Sequence, residues 1–159
     1  MIAILQNIRS LYNVGSIFRT ADAAGLEKLY LCGITPEPID RFGKIRSQIA
    51  KVALGAEKTV SWVRYQVAGK IIDKLKGEGY KIWAVEQSRH SIPYHTGALR
   101  RAQGKNQRIA LIFGNEVRGL SPAILKKADK ILEIPMKGKK ESLNVGVAFG
   151  IIVFGLLYN

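Results

Sequence analysis

Three polar clusters interrupt an otherwise apolar chain, and each carries residue types that orient or polarise a ligand. The first runs from Asn7 to Arg19 and holds Asn13, Gly15 and Arg19 just after an apolar run. If a helix starts near Asn13, Arg19 falls one to two turns into it, where a guanidinium can meet a phosphate or a ribose. The second, residues 113 to 120, sets Asn115, Glu116 and Arg118 between Gly114 and Gly119. Glycines at both ends let the backbone approach a ligand closely, while Glu116 can accept hydrogen bonds from a substrate or hold a basic side chain in place. The third runs from Ile134 through Met136, Lys137, Lys139 and Lys140 to Ser142, Leu143 and Asn144. A basic loop leading into a helix start with Ser and Asn makes a pocket with backbone donors.

What these clusters lack is as informative. They contain no His and no Cys, the usual proton acceptor and thiolate nucleophile. The second cluster, residues 113 to 120, is no phosphate-binding loop, since no Gly-Lys-Ser/Thr follows it, and no GxGxxG occurs anywhere. His90 and His95 stand without a cysteine nearby, so no metal site is expected. The single cysteine, Cys32, allows no intramolecular disulfide and ends an apolar run, as a buried thiol would.

The elements that position the clusters follow from hydrophobic patterning. Residues 2–5, 28–32, 81–85, 108–113 and 130–134 are apolar runs of strand length, without the alternation of a half-solvated sheet. Between them, residues 12–24 carry Val14, Ile17, Phe18, Ala21 and Ala24 at helical spacing, capped by Asn13 or Ser10 and stopped by Gly25. A second helix is expected from about Tyr65 to Lys76 before Gly77 and Gly79, and a third from Ser121 with Pro122 in its first turn. The stretch from Leu143 to Leu157 is too short to span a bilayer and is interrupted by Asn144 and three glycines, so it reads as a buried or interface helix. Gly146 and Gly150 on it would admit another helix closely, in a dimer or within one subunit. The alternation predicts one α/β domain over residues 1–159, a parallel sheet with helices on both faces, and ligands at the carboxyl ends of its strands.

The chain of 159 residues has 25 Lys and Arg against 12 Asp and Glu, a formal charge of +13. Such an excess predicts a polyanionic partner, nucleic acid being the natural one. Arg9, Arg41, Lys44, Arg46, Lys51, Arg100, Arg101, Lys137, Lys139 and Lys140 are the candidate phosphate contacts, and residues 36–51 read as a mobile loop facing RNA. The N-terminus lacks the pattern of a signal peptide, and a cytoplasmic protein is expected.

In order, content and spacing, the three clusters resemble the motifs of the SpoU (TrmH-like) family of RNA ribose methyltransferases, in the SPOUT superfamily. The resemblance covers nearly the whole chain and looks like the catalytic domain without an appended RNA-binding domain. It implies a Rossmann-like sheet whose C-terminal part is tied in a deep trefoil knot, a homodimer, and S-adenosylmethionine as cofactor. It further implies that Asn13, Arg19, Glu116, Ser142 and Asn144 surround the reacting ribose, and that Glu86, Gly114, Ile134, Met136, Ser142 and Leu143 hold the cofactor. The reaction so implied is methyl transfer to a ribose 2′-hydroxyl, of transfer RNA in preference to ribosomal RNA. The rival readings are a base methyltransferase of the same superfamily, a non-catalytic RNA-binding or ribosome-assembly protein on the same scaffold, and a dinucleotide-dependent oxidoreductase.

Overall fold

The structure is a computed structural model and describes residues 1–96 and 107–158; Arg100 and Arg101 lie outside this set. Its seven strands are β1 (Ile2–Gln6), β2 (Lys28–Cys32), β3 (Trp62–Tyr65), β4 (Lys81–Val85), β5 (Ile92–Pro93), β6 (Ile109–Phe113) and β7 (Lys130–Glu133). They form one sheet in the order β3-β2-β1-β6-β4-β7-β5, every neighbouring pair parallel. The helices are α1 (Leu11–Ala23), α2 (Ser47–Ala53), α3 (Ala56–Thr59), α4 (Ala68–Gly77), α5 (Pro122–Leu125) and α6 (Val145–Tyr158).

Continuous apolar strands are what a sheet covered on both faces requires, and the two cores show the period of two. Ala3, Leu5, Leu29, Leu31, Leu111 and Phe113 pack with α1, α2 and α6, while Ile2, Ile4, Tyr30, Cys32, Ala110 and Ile112 pack with α4 and α5 on the opposite face. Helix α1 begins where Ser10 Oγ accepts the Asn13 N–H at 3.2 Å, so Ser10 and not Asn13 is its N-cap. That leaves the Asn13 carboxamide free for other partners.

Several expectations are corrected. Tyr65 belongs to β3, a strand the pattern did not reveal, and α4 starts three residues later at Ala68. The segment 36–51 is built of a turn and the first part of a helix. Asp40 Oδ1 accepts the N–H groups of Phe42 at 2.8 Å and Lys44 at 2.9 Å, closing a tight turn, and from Ser47 the chain is helical with Ile49 fully buried. At the tip of that turn Phe42 is 71% exposed, with the Arg41 guanidinium 4.6 Å from its ring centroid. Arg46 is half-buried rather than solvent-facing, its Nε shielded from water. Gly146 and Gly150 of α6 face α1 of the same chain. A Cβ on Gly146 would stand 3.3 Å from Ser16 Oγ, and one on Gly150 3.8 Å from Thr20 Cγ2.

No helix among the described residues is long and apolar enough to cross a membrane. Cys32 is fully buried, and burial pushes its thiol pKa up to about 12 against the opposing pull of Arg64.

Candidate active site

Strands β1, β4, β6 and β7 deliver the three clusters to one edge of the sheet, their carboxyl ends. The second cluster is a tight loop whose shape is over-determined. Asn115 Oδ1 accepts the N–H groups of Val117 at 3.0 Å and Arg118 at 2.9 Å, and its Nδ2 donates to the Asn7 carbonyl at 2.8 Å. The loop closes where the Gly119 N–H donates to the Asn115 carbonyl at 2.9 Å. Gly119 has φ +62°, and a Cβ there would stand 2.1 Å from Glu86 Oε2; one on Gly114 would stand 2.5 Å from the Gly119 carbonyl carbon. Only glycine fits at either place. Glu86 clamps the loop from β4, its Oε2 accepting the Leu120 N–H at 2.8 Å.

The loop aims Glu116 at the start of α1. Its carboxylate accepts the backbone N–H of Arg9 at 3.1 and 3.2 Å, the N–H of Ser10 at 3.2 Å and Asn13 Nδ2 at 3.1 Å. Burial acts to raise its pKa. The opposing hydrogen bonds, from its own backbone N–H, Arg9, Asn13 and Ser10, prevail and hold the carboxyl below its usual range. A carboxylate so placed stays ionised and has its lone pairs occupied, which suits an orienting group and not a proton acceptor.

The relay continues into the third cluster. Asn13 Oδ1 accepts from Asn144 Nδ2 at 3.0 Å, and Asn144 Oδ1 accepts the Gly146 N–H at 2.8 Å, capping α6. The carboxylate at one end and the helix N–H groups at the other fix which way each amide points. Asn144 is therefore the cap of α6. The two longest helices present their N-termini, and the positive ends of their dipoles, to the same place.

Beside this relay lies a cavity of about 210 Å³. All six residues expected to hold a cofactor, Glu86, Gly114, Ile134, Met136, Ser142 and Leu143, line it. Residues at the ends of β4, β6 and β7 line it, and Leu132, Ile134, Met136, Leu143 and Val145 supply apolar surface, which fits a nucleoside-like cofactor with a thioether or sulfonium arm. Glu116 lines the same cavity, so the relay opens onto it.

Arg19 is not brought in. It is exposed on α1, about 9 Å along the helix from Asn13 at 1.5 Å per residue, and lines neither of the cavities described here. Among the described residues it has no ion pair. Two organising residues, Asn7 and Asn115, were not nominated from the sequence. Asn7 sits at φ +58°, and its Oδ1 accepts the Ile34 N–H at 3.1 Å, tying the ends of β1 and β2 together. Among the described residues no group of three or more His, Cys, Asp or Glu comes together.

Known proteins are similar to this chain in sequence and in fold. The 23S rRNA (guanosine(2553)-2'-O)-methyltransferase RlmP of Bacillus subtilis is 33% identical over 144 residues, which are 91% of this chain and 52% of that protein. The tRNA (guanosine(18)-2'-O)-methyltransferase of Aquifex aeolicus is 34% identical over 157 residues, covering 97% of this chain and 67% of that protein. Among solved structures, the AdoMet-bound rRNA methyltransferase from Sinorhizobium meliloti matches with a TM-score of 0.84 at 27% identity, over 98% of this chain and 54% of that one. The chain thus spans about half to two thirds of the length of the curated relatives it matches. With residues 1–154 matching the model of the SpoU rRNA Methylase family, the chain belongs to that family.

Proposed function

We propose that this protein transfers a methyl group from S-adenosylmethionine to a ribose 2′-hydroxyl of RNA. The observation that carries the reading is the relay Glu116–Asn13–Asn144, which joins the three clusters across more than a hundred residues of sequence and opens onto the cavity lined by the cofactor nominees. When bound, S-adenosylmethionine supplies a methyl group on a sulfonium, open to in-line displacement by a hydroxyl.

The protein's own work is positional. Glu116 and Asn13 fix the start of α1, Asn144 fixes the start of α6, and Ser142 and Leu143 shape the cavity wall between them. Holding a hydroxyl in line with a methyl carbon removes much of the entropic barrier. Glu116 does not take the hydroxyl's proton, for the reasons given. Arg19 carries a planar guanidinium with several N–H donors, and its part is to act with a substrate phosphate in activating the hydroxyl.

Because Arg19 stands away from the cavity of its own subunit, the reading includes a homodimer. Gly146 and Gly150 are already used against α1, so the surface for a second copy is the other side of α6, where Val147, Phe154 and Leu157 are exposed. The reading also includes a single catalytic domain over residues 1–159, a C-terminal trefoil knot around the cavity, and a cytoplasmic setting. Transfer RNA is preferred to ribosomal RNA as substrate, and relatives of both kinds are known.

The test is transfer of labelled methyl from S-adenosylmethionine to separate tRNA and rRNA pools, with nucleoside analysis. Label in a 2′-O-methylnucleoside with wild type, and its loss in Arg19→Ala and Arg19→Lys with cofactor binding intact, is the expected result. Wild-type turnover in both variants sinks the role given to Arg19. Label on a base instead moves the reaction to the other branch of the superfamily.

A further inference from the structure

A second cavity, of about 670 Å³, lies on the far side of the 115–119 loop. Its walls come from the ends of β1 and β2 and from the segment after β6, with Gln6, Arg9, Ile34, Val117, Arg118 and Ile124 contributing. Open parallel sheets bind ligands at the carboxyl ends of their strands where the strand order reverses. Here the sheet runs outward from β1 through β2 to β3 on one side and begins again with β6 on the other, so this cavity sits on the reversal. The cofactor cavity is displaced to the ends of β4, β6 and β7. The usual crevice of the fold is therefore left for something else, and its volume lies within the roughly 300–1,000 Å³ of small-molecule sites.

The lining says what that is. Arg9 and Arg118 are exposed and, among the described residues, neither has an ion-pair partner; no acidic side chain lines the cavity. The backbone N–H of Arg9 is held by Glu116, which leaves its guanidinium to the cavity side. Gln6 Oε1 is shielded without a hydrogen-bond partner, and the Gln6 carboxamide, which carries both donor and acceptor groups, stands at the end of β1 in the cavity wall. Ile34 is 63% exposed and Val117 83%. Two unpaired cations, a flat apolar surface and one bifunctional amide match a phosphate, a base face and a base edge. The wall is also shared, since Asn115, Val117 and Gly119 line both cavities.

We propose that the second cavity is a nucleotide subsite. It receives a nucleotide of the RNA adjoining the one whose ribose reacts, with Arg9 and Arg118 on the phosphate and Gln6 at the base edge. The inference rests on the methyltransferase reading for its substrate class, though not on turnover itself.

The test is binding of an end-labelled small-RNA pool to wild type, Arg9→Gln, Arg118→Gln and Arg118→Lys at several salt concentrations, with Lys74→Gln on α4 as the charge control. Each Arg→Gln change is expected to weaken RNA binding about 10-fold and to lower the slope of log affinity against log salt by about one. KM for RNA rises accordingly, with kcat and cofactor affinity unchanged, while Arg118→Lys restores the slope and Lys74→Gln leaves affinity as in wild type. Affinity and slope equal to wild type in both Gln variants, with the wild type still methylating RNA, overturn the subsite and leave the activity standing. Binding that is lost in the variants of an enzyme that methylates no RNA keeps the subsite and overturns the activity. A wild type that binds no RNA overturns both.

Discussion

Replacing Glu116 by Gln isolates what the carboxylate does for the site. It accepts from Arg9, Ser10 and Asn13 at 3.1–3.2 Å. The isosteric amide keeps one acceptor oxygen and turns an NH₂ group toward one of those donors. Hydrogen bonds to a charged group are worth about 1.5–3 kcal/mol each against about 0.5–1.5 for neutral ones, and the exposure of this carboxylate reduces the difference, so the variant loses about 1–2 kcal/mol overall. For a chain of this length each kcal/mol moves Tm by roughly 2–4 °C, giving a drop of about 2–8 °C. Turnover falls further, by about 10²-fold, because the loop and the start of α1 both shift relative to the cavity. The pH dependence has a definite sign. The folded-state pKa of Glu116 is lowered, so its stabilisation is fully present above the unfolded carboxylate value, about 4.3, and is lost as pH falls through the folded value. Thermal unfolding of both proteins from neutral to acid pH should show a constant gap that closes below the usual carboxylate range. Equal Tm values at neutral pH, or a gap that widens in acid, refute the reasoning.

Gly119→Ala forces a Cβ to within 2.1 Å of Glu86 Oε2 at a left-handed backbone position, so calorimetry should find cofactor affinity at least about 10-fold weaker and unfolding a few degrees earlier. Unchanged affinity would show that the loop does not shape the cofactor cavity. Thr35→Val keeps the shape of a fully buried side chain but removes the hydroxyl that accepts the Ile8 N–H at 3.1 Å and lies 2.9 and 2.8 Å from the carbonyls of Leu5 and Cys32. Denaturant melts should register a loss of about 1–3 kcal/mol. The Cys32 thiol, buried and with its pKa pushed up to about 12, should ignore thiol reagents at mildly alkaline pH and react only once the chain unfolds.

The strands that make the sheet were legible because both their faces are apolar. Residues 28–32 and 81–85 match their predicted bounds, and three others differ by one residue at an end. Strand β3 was hidden because it is an edge strand with no fully buried residue, and Val67 and Ile71 beyond it extended a helical pattern back to Tyr65. Helix α2 was hidden by its basic setting, although Ile49, Val52 and Ala53 fall at helical spacing and are the signal that could have found it. In the site, local chemistry nominated Asn13, Glu116 and Asn144, and the structure joins them directly. Their partners were illegible, since the bond from Arg9 to Glu116 spans 107 positions and no local pattern records it. The same holds for Asn115, whose side chain is spent on its own loop and on Asn7. Arg19 shows the reverse limit, a residue whose type is plain and whose partners are not in this chain's own cavity.

The pairing of β1 with β6 sets the order in which the protein can fold. Ala3 lies opposite Leu111, so the middle of the sheet joins segments 108 positions apart in sequence. Until residues 109–113 leave the ribosome, β1 offers an unpaired, largely apolar edge, the kind of template that draws in foreign strands. Contacts this distant in sequence also slow folding, because the entropy of closing the loop is spent before any pairing rewards it. Glu116 follows β6 by only three residues, so the start of α1 acquires its carboxylate partner as that last central strand docks. Assembly of the Glu116–Asn13–Asn144 relay is in this way a check on the sheet, and a chain stalled short of β6 holds the first motif without the residues that give it a shape.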